Sequence, residues 1–592
     1  SFVTSSAGAG AHHGPLLARA LALGLAPLSP EPLPPRAALL RALPVLVAVV
    51  TGLAFLPALD ADFVNWDDDR NLLENPNYRG LGWAQLRWMF TTRLLGHYIP
   101  LTWLSFGVNY VLGGLNPWGY HLGNVLLHAA GAGVFYLVAR RLLAAGVGGG
   151  VAAPAGPMGA GSLRDPAVCI GAAFAALAFG VHPLRVESVA WVTERRDVLC
   201  GLFYLLAVWA YLRGVASGGP IATRWWALSL GAFAAALLSK SISMPLGAVL
   251  LLLDVYPLRR VGAMGWRRLV IEKLPYLVLG ALGASVALAT LYRAIPVTAY
   301  GAYGPAARVA MSAYGLVFYA WKFLWAGGLS PMHELPERVD ALEPRFLLAM
   351  ALVGAVTAIL IALRRRWPGG LAAWVYSALL ILPVGGGVHA GLHLVADRYS
   401  YLSGLGFAVL AGGGLAWLVR ERTRLRSSVV TLGVAAAALI VIGWGAGAWR
   451  QSKVWHDSER LWGWALDLDP QCAMCATNLG AALIMAPEPG LARARQAEAL
   501  LRHAIRVRPE RAFPYHPLGV ALALQGRYAE AEAVFEEYAR REPDSVLVAA
   551  DLGLVRLQQG RHAEAVPLLR RALAMNPAYA NLRPVLARAL RE

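Results

Sequence analysis

FVNWDDD, residues 63–69, follows directly on an apolar run, RALPVLVAVVTGLAFLPALD, residues 41–60. Between Arg41 and Asp60 that run can cross a bilayer. Three consecutive carboxylates, Asp67, Asp68 and Asp69, then stand where the chain leaves the hydrocarbon. Charges so close to a membrane edge are costly unless solvated or used. Two readings compete: a solvated acidic loop, or a catalytic base or metal-binding carboxylate facing a membrane-embedded pocket. The rest of the chain decides between them.

The chain has 592 residues, 57% of them hydrophobic and only 15% charged. A soluble protein of this size carries more charge. The apolar residues come in runs near the roughly 20 needed to span hydrocarbon, so the chain reads as a polytopic membrane protein up to about Trp455. A net charge of +18 would suit nucleic acid. The arginines instead cluster in short loops between apolar runs, as membrane orientation demands. Aromatic–basic interleaving of the kind that holds single strands is missing from the sequence, and nucleic acid is not an expected partner. Residues 1–37 are rich in Ala, Gly and Pro and read as a disordered tail. The first span then serves as an uncleaved anchor.

The spans are expected at about 41–59, 119–139, 167–184, 197–213, 225–239, 242–256, 274–292, 346–363, 371–387, 399–419 and 428–448. Alternate loops carry Arg140, Arg141 and Arg164; Arg213 and Arg224; Arg259, Arg260, Arg267, Arg268 and Lys273; Arg364, Arg365 and Arg366; and Arg420, Arg422, Arg424 and Arg426. That side is assigned to the cytoplasm. Two further apolar stretches, 98–114 and 312–327, are read as interfacial or re-entrant. The loop at 60–118 and the C-terminal segment then share the external face.

His121, Asn124 and His128 fall on one face of the second span. They either bond packed helices together or line a cavity. The external ends of other spans carry His182, Glu187, Glu194, Arg195, Arg196, Asp197, Lys240, Asp397 and Arg398. Cations on this side run against the positive-inside trend. A bound phosphate would explain them; so would salt bridges to Asp67–Asp69 and Glu187.

In the C-terminal segment, Pro509, Pro543 and Pro577 are 34 residues apart, as are Gly519 and Gly553, and Gly526 and Gly560. With Leu before the first glycine of each repeat and Ala529 and Ala563 in step, this is the tetratricopeptide (TPR) pattern. Such an array forms a concave superhelical surface suited to peptide. Of the four cysteines, Cys169 and Cys200 read as packing residues. Cys472 and Cys475 form a lone CxxC, either an incidental pair or a local disulfide.

The blocks FVNWDDDRNLLENPNYRG (63–80), LNPWGYHLGNVLLH (115–128), HPLRVESVAWVTERRDVL (182–199), LLSKSISM (237–244) and ADRYSYL (396–402), followed by the repeats, together resemble the transmembrane, TPR-containing protein O-mannosyltransferases and their bacterial relatives. The resemblance covers nearly the whole chain. It implies an all-α fold: a GT-C-like membrane domain over 38–454 with about eleven spans and an external acidic loop at 60–118, then a TPR solenoid over 455–592. It implies transfer of mannose from a polyprenyl-phosphate donor to Ser/Thr hydroxyls of extracytoplasmic proteins, with the repeats engaging the acceptor. The chain would be a multi-pass protein of the bacterial inner membrane, in contact with membrane lipid, its site and repeats outside. Asp67 or Asp68 matches the catalytic loop carboxylate; Arg195, Lys240 and Arg398 match as donor-phosphate contacts. His121, Asn124, His128, His182 and Glu187 would be the polar residues of the cavity. A divalent metal on Asp67, Asp68 and Asp69 stays open, since such a triplet can bind one. The chain departs from the animal pattern at Ser241, where an acid often follows the lysine, and at Ile99, where an arginine often precedes Pro-Leu. The rival functions are a lipid-linked polysaccharide polymerase or ligase, and a TPR scaffold without catalysis.

Overall fold

The computed structural model describes residues 35–147, 162–216, 220–294, 303–386, 392–543, 545–576 and 581–591. The tail expected over 1–37 lies outside the described residues, save for 35–37, which begin the helix Pro35–Ala54.

Nearly everything described is helix; the β structure among the described residues is one two-stranded antiparallel ladder, His333–Glu334 against His393–Val395. Each of the eleven expected spans is helical over most of its length. Among the described residues six helices are both long and apolar enough to cross a membrane, and the bent pair Pro166–Gly180 and Pro183–Ala190, angled at 51°, makes seven if it is one span. Leu40–Ala54, Ser241–Val255 and Pro368–Ile381 are shorter apolar helices. Thr223–Ser239 also falls short of the length a span needs, with 17 residues. By length and composition the count among the described residues is therefore six or seven.

Three of the long helices, Trp266–Leu291, Pro344–Ala362 and Ser427–Val454, are inside-out by the standard of soluble proteins. Ser427–Val454 turns Val429, Leu432, Leu439, Ile440 and Ile442 outward, which suits hydrocarbon rather than water. The stretch at 312–327 lies mostly in the helix Pro305–Leu324, which is not apolar enough along its length to count among the spans. It buries Leu316, Tyr319 and Phe323 on one face. The loop at 60–118 has its own core, built by Leu72, Tyr78, Met89, Trp103, Phe106 and Tyr120. The helix Pro100–Gly113 supplies Trp103 and Phe106 to it.

The C-terminal segment is a run of paired helices. Ser458–Leu468 joins it to the membrane part. The pairs are Ala473–Met485 with Gly490–Val507, Tyr515–Leu524 with Tyr528–Arg541, and Val546–Gln558 with His562–Met575. Gly526 and Gly560 sit between the paired helices with φ of 75° and 77°, a backbone that side chains rarely adopt. That requirement explains their 34-residue spacing. Cys472 and Cys475 are disulfide-bonded at the start of the first pair.

Candidate functional site

The site is built on three breaks in helices. Residues 182–199 run from the end of Pro166–Gly180 through a short helix, Val186–Ala190, to Arg195–Gly214. The chain is extended at Trp191. Such a break leaves carbonyls without helical partners, and buried ones must be satisfied. Asn124 does this, donating from Nδ2 to the carbonyls of Val189 (3.1 Å) and Trp191 (3.0 Å). His128 Nε2 meets the Gly180 carbonyl at 2.8 Å, and its Nδ1 meets the Tyr401 hydroxyl at 2.9 Å. His182 Nδ1 accepts from the Leu184 amide at 3.2 Å. Three of the expected cavity residues thus serve backbone at helix ends. His121 is buried beside them.

The second break is at Lys240, which is extended between Thr223–Ser239 and the turn Ser241–Ser243. The third is the turn Asp397–Tyr399, which opens Ser400–Arg420. All three breaks turn their charges to one centre. Glu194, wholly buried, meets Arg196 Nη2 at 2.6 Å, Lys240 Nζ at 2.7 Å and Arg398 Nε at 3.4 Å. Lys240 also meets Asp197 at 2.7 Å. Arg398 pairs with Glu187, takes its carboxylate on the main-chain amide at 2.7 Å, and lies over the Trp191 ring at 5.4 Å. Three cations are thus matched by Glu187, Glu194 and Asp197. Ions taken out of water need such pairing.

Arg195 is elsewhere. Its guanidinium donates to Asn109 Oδ1 (2.7 Å), to the Tyr120 carbonyl (2.6 Å) and to Asn124, and lies 5.1 Å over Phe106. The structure brings Lys240, Arg398 and Glu187 together and adds Arg196; it holds Arg195 against the acidic loop.

One carboxylate of the acidic loop ties it beside this centre, to the residue before Glu194. Asp68 is buried: Oδ1 accepts from the Thr193 amide (2.9 Å) and hydroxyl (2.6 Å), and Oδ2 from the Val64 amide (3.2 Å). Burial pushes its carboxyl up to about 7 against the pull of those three donors. Asp69 accepts from the Arg70 amide at 2.8 Å. Asp67 is half-buried, has φ of 63°, and its carboxylate has no hydrogen bond among the described residues. Burial raises its pKa; Arg196 pulls it back, Asp69 adds to the rise, and Arg398 opposes it. Among the described residues no three His, Cys, Asp or Glu side chains converge as a metal site, because Asp68 is engaged inward while Asp67 is not.

His97 also belongs here and carries no motif that marks it in the sequence. It is exposed, and it lies within the field of Arg196 and Lys240. Its signal is only its place, three residues before the helix Pro100–Gly113.

The loop is tied to the repeats as well. The Asn65 amide donates to Ser458 Oγ (2.9 Å), its Nδ2 to the Asn478 carbonyl (2.9 Å), and its Oδ1 accepts from Trp462 Nε1 (2.7 Å). Acidic loop and repeats therefore share one face.

These features define a helical membrane protein with a TPR array docked on an acidic loop beside a paired-charge centre. A family model for the tetratricopeptide repeat matches residues 516–580 and 550–592. The chain is similar to protein O-mannosyl-transferases of animals. TMTC2 of Mus musculus is 34% identical over 227 residues, 36% of this chain and 24% of that protein. Tmtc3 of Drosophila melanogaster is 37% identical over 146 residues, 24% of this chain and 15% of that protein. The similarity thus spans about a quarter of the first relative's length. Among solved structures, a thermophilic TPR protein of Thermus thermophilus aligns with 28% of this chain and 97% of its own at 25% identity, with a TM-score of 0.21.

Proposed function

We propose that the chain is a membrane glycosyltransferase that moves mannose from a polyprenyl-phosphate carrier to Ser/Thr hydroxyls of proteins on the face that bears the repeats. The similarity to protein O-mannosyl-transferases supports this reading, and one observation carries it: Asp67 is a half-buried carboxylate without a hydrogen bond among the described residues, within the field of Arg196 and Arg398. A general base needs access to a proton and no competing donor. The acceptor hydroxyl oxygen bonds to the anomeric carbon as the bond from that carbon to the phosphate oxygen breaks. The hydroxyl proton passes to Asp67, and the phosphate keeps the electron pair. Lys240, Arg196 and Arg398 stabilise the charge that develops on the leaving phosphate, sharing themselves between it and Glu194. Asn124, His128 and His182 hold the breaks that aim these groups, and Arg195 holds Asn124 in place. The repeats present the acceptor polypeptide.

The test is direct. Purified protein with labelled polyprenyl-phosphate mannose and a protein acceptor should place label on Ser/Thr. A folded variant with Asp67, Asp68 and Asp69 all changed to Asn that transfers at the wild-type rate would refute the assignment of this loop.

A further inference from the structure

Between the helices lies a cavity of about 670 Å³ that the proposed reaction does not use. Phe135, Leu143, Val208, Leu253, Val409 and Leu410 are among its apolar walls. It starts near Tyr204 and Tyr376, whose hydroxyls meet at 3.3 Å. Tyr204 follows Asp197 on one helix by about 10 Å of rise, at about 1.5 Å per residue. At the far end stand Arg259, Arg366, Tyr256 and Trp367. The two segments that supply these four residues are neighbours, since a Cβ on Gly369 would lie 3.5 Å from the Tyr256 ring. No Asp or Glu is among the described residues that line the cavity.

We infer that this cavity binds an anionic glycerophospholipid, with its phosphate at Arg259 and Arg366 and acyl chain among the apolar walls. Three features carry the inference. Basic pockets between membrane helices suit lipid phosphate, and two guanidiniums stand at one end of this apolar space. Tyr256 and Trp367 beside them suit the headgroup level. Along Ser400–Arg420 the cavity runs from Leu405 to Trp417, roughly 18 Å of helix, close to one leaflet of a hydrocarbon core about 30 Å thick. The tail of a lipid whose phosphate lay at Lys240 and Arg398 would instead end against two guanidiniums, an unfavourable partner for hydrocarbon.

Gly414 supplies the test. It lines the cavity, and a Cβ there meets no atom within 4 Å, so Gly414→Phe fills the space from open room. The full chain is purified and exchanged with phosphatidylglycerol, phosphatidylcholine or polyprenyl phosphate, and retained lipid is counted by native mass spectrometry. Wild type should keep one phosphatidylglycerol and exchange it poorly for phosphatidylcholine. Gly414→Phe and the exposed-residue variant Arg366→Gln should each cut retention about tenfold. Arg366→Gln does not touch the packed interior and reports even if Gly414→Phe fails to fold. Equal retention of both phospholipids, unchanged retention in Arg366→Gln, or displacement of phosphatidylglycerol by polyprenyl phosphate one for one would each overturn the inference.

Discussion

Asp68 and Thr193 are joined by two hydrogen bonds, one from the Thr193 amide and one from its hydroxyl. They fasten the acidic loop to the segment that carries Glu194 and Arg196. Asp67, the residue before, has its carboxylate without such a bond. In the proposed reaction the two neighbouring acids therefore do different work: Asp68 positions the loop, and Asp67 is the base. Asp67→Asn is expected to lower transfer by about 10²–10⁴ with thermal stability near wild type. Asp68→Asn is expected to lower the melting temperature as well, since the amide cannot accept all three donors. Equal loss of stability in both variants would argue against this division.

The pH dependence is set by the surroundings of Asp67. A base must be ionised, so transfer should rise with pH through the Asp67 pKa. Burial places that pKa above the usual aspartate value, and Arg196 is the largest cationic pull against the rise. Removing the pull lets the pKa rise further. In Arg196→Gln the acidic limb of kcat/KM should move to higher pH. A limb that stays in place or moves down would assign it to another group.

Lys240 holds two carboxylates at once, Glu194 and Asp197, each at 2.7 Å. Lys240→Ala leaves both with one cation fewer in a buried place, a change that typically costs about 3–5 kcal/mol. Stability should fall sharply, and Asp197→Asn added to it should restore part of the stability without restoring transfer. If Lys240→Ala weakens only donor binding and leaves melting unchanged, the ammonium is not held by these carboxylates in the resting protein.

The sequence made the charged blocks easy to find, because Glu194, Lys240 and Arg398 interrupt apolar runs where charge is costly. Which member of a pair faces the centre was not legible. Arg195 and Arg196 are one residue apart on a helix, so they point about 100° apart. Only the break at Trp191 settles the rotation that turns Arg196 to Glu194 and Arg195 to Asn109. Asp67 and Asp68 are separated in the same way by a φ of 63° at Asp67. Asn124 and His128 were legible as polar residues on one face, but their partners are carbonyls at breaks that composition does not reveal. The repeats are legible nearly in full, because their period is written in Gly and Pro. Span number was not, since Thr223–Ser239 and Pro368–Ile381 are apolar yet short.

The shared face of loop and repeats can be checked on intact membranes. Arg70→Cys and Ser545→Cys should both be modified by an impermeant thiol reagent from the same side. Background should be low, because Cys169 and Cys200 are buried and Cys472 and Cys475 are paired. Modification of the two positions from opposite sides would contradict the contacts of Asn65.

Asn65 uses its amide and both ends of its side chain on Ser458, Asn478 and Trp462. The next residue, Trp66, packs edge-on against Trp462 at 5.2 Å, and its carbonyl accepts from Trp191 Nε1 at 2.7 Å. Asp67 comes directly after. The first helices of the array thus hold the backbone from which the proposed base projects, in addition to any role in gripping an acceptor. Small displacements of a reacting group can cost about 10²-fold in rate. Asn65→Ala should therefore lower kcat by about ten- to a hundredfold even with a short peptide acceptor, while donor affinity stays near wild type. Deleting residues 545–592 touches none of these contacts and should spare the short peptide while slowing transfer to folded protein. If Asn65→Ala transfers to both acceptors at the wild-type rate, the array presents substrate only and does not set the loop.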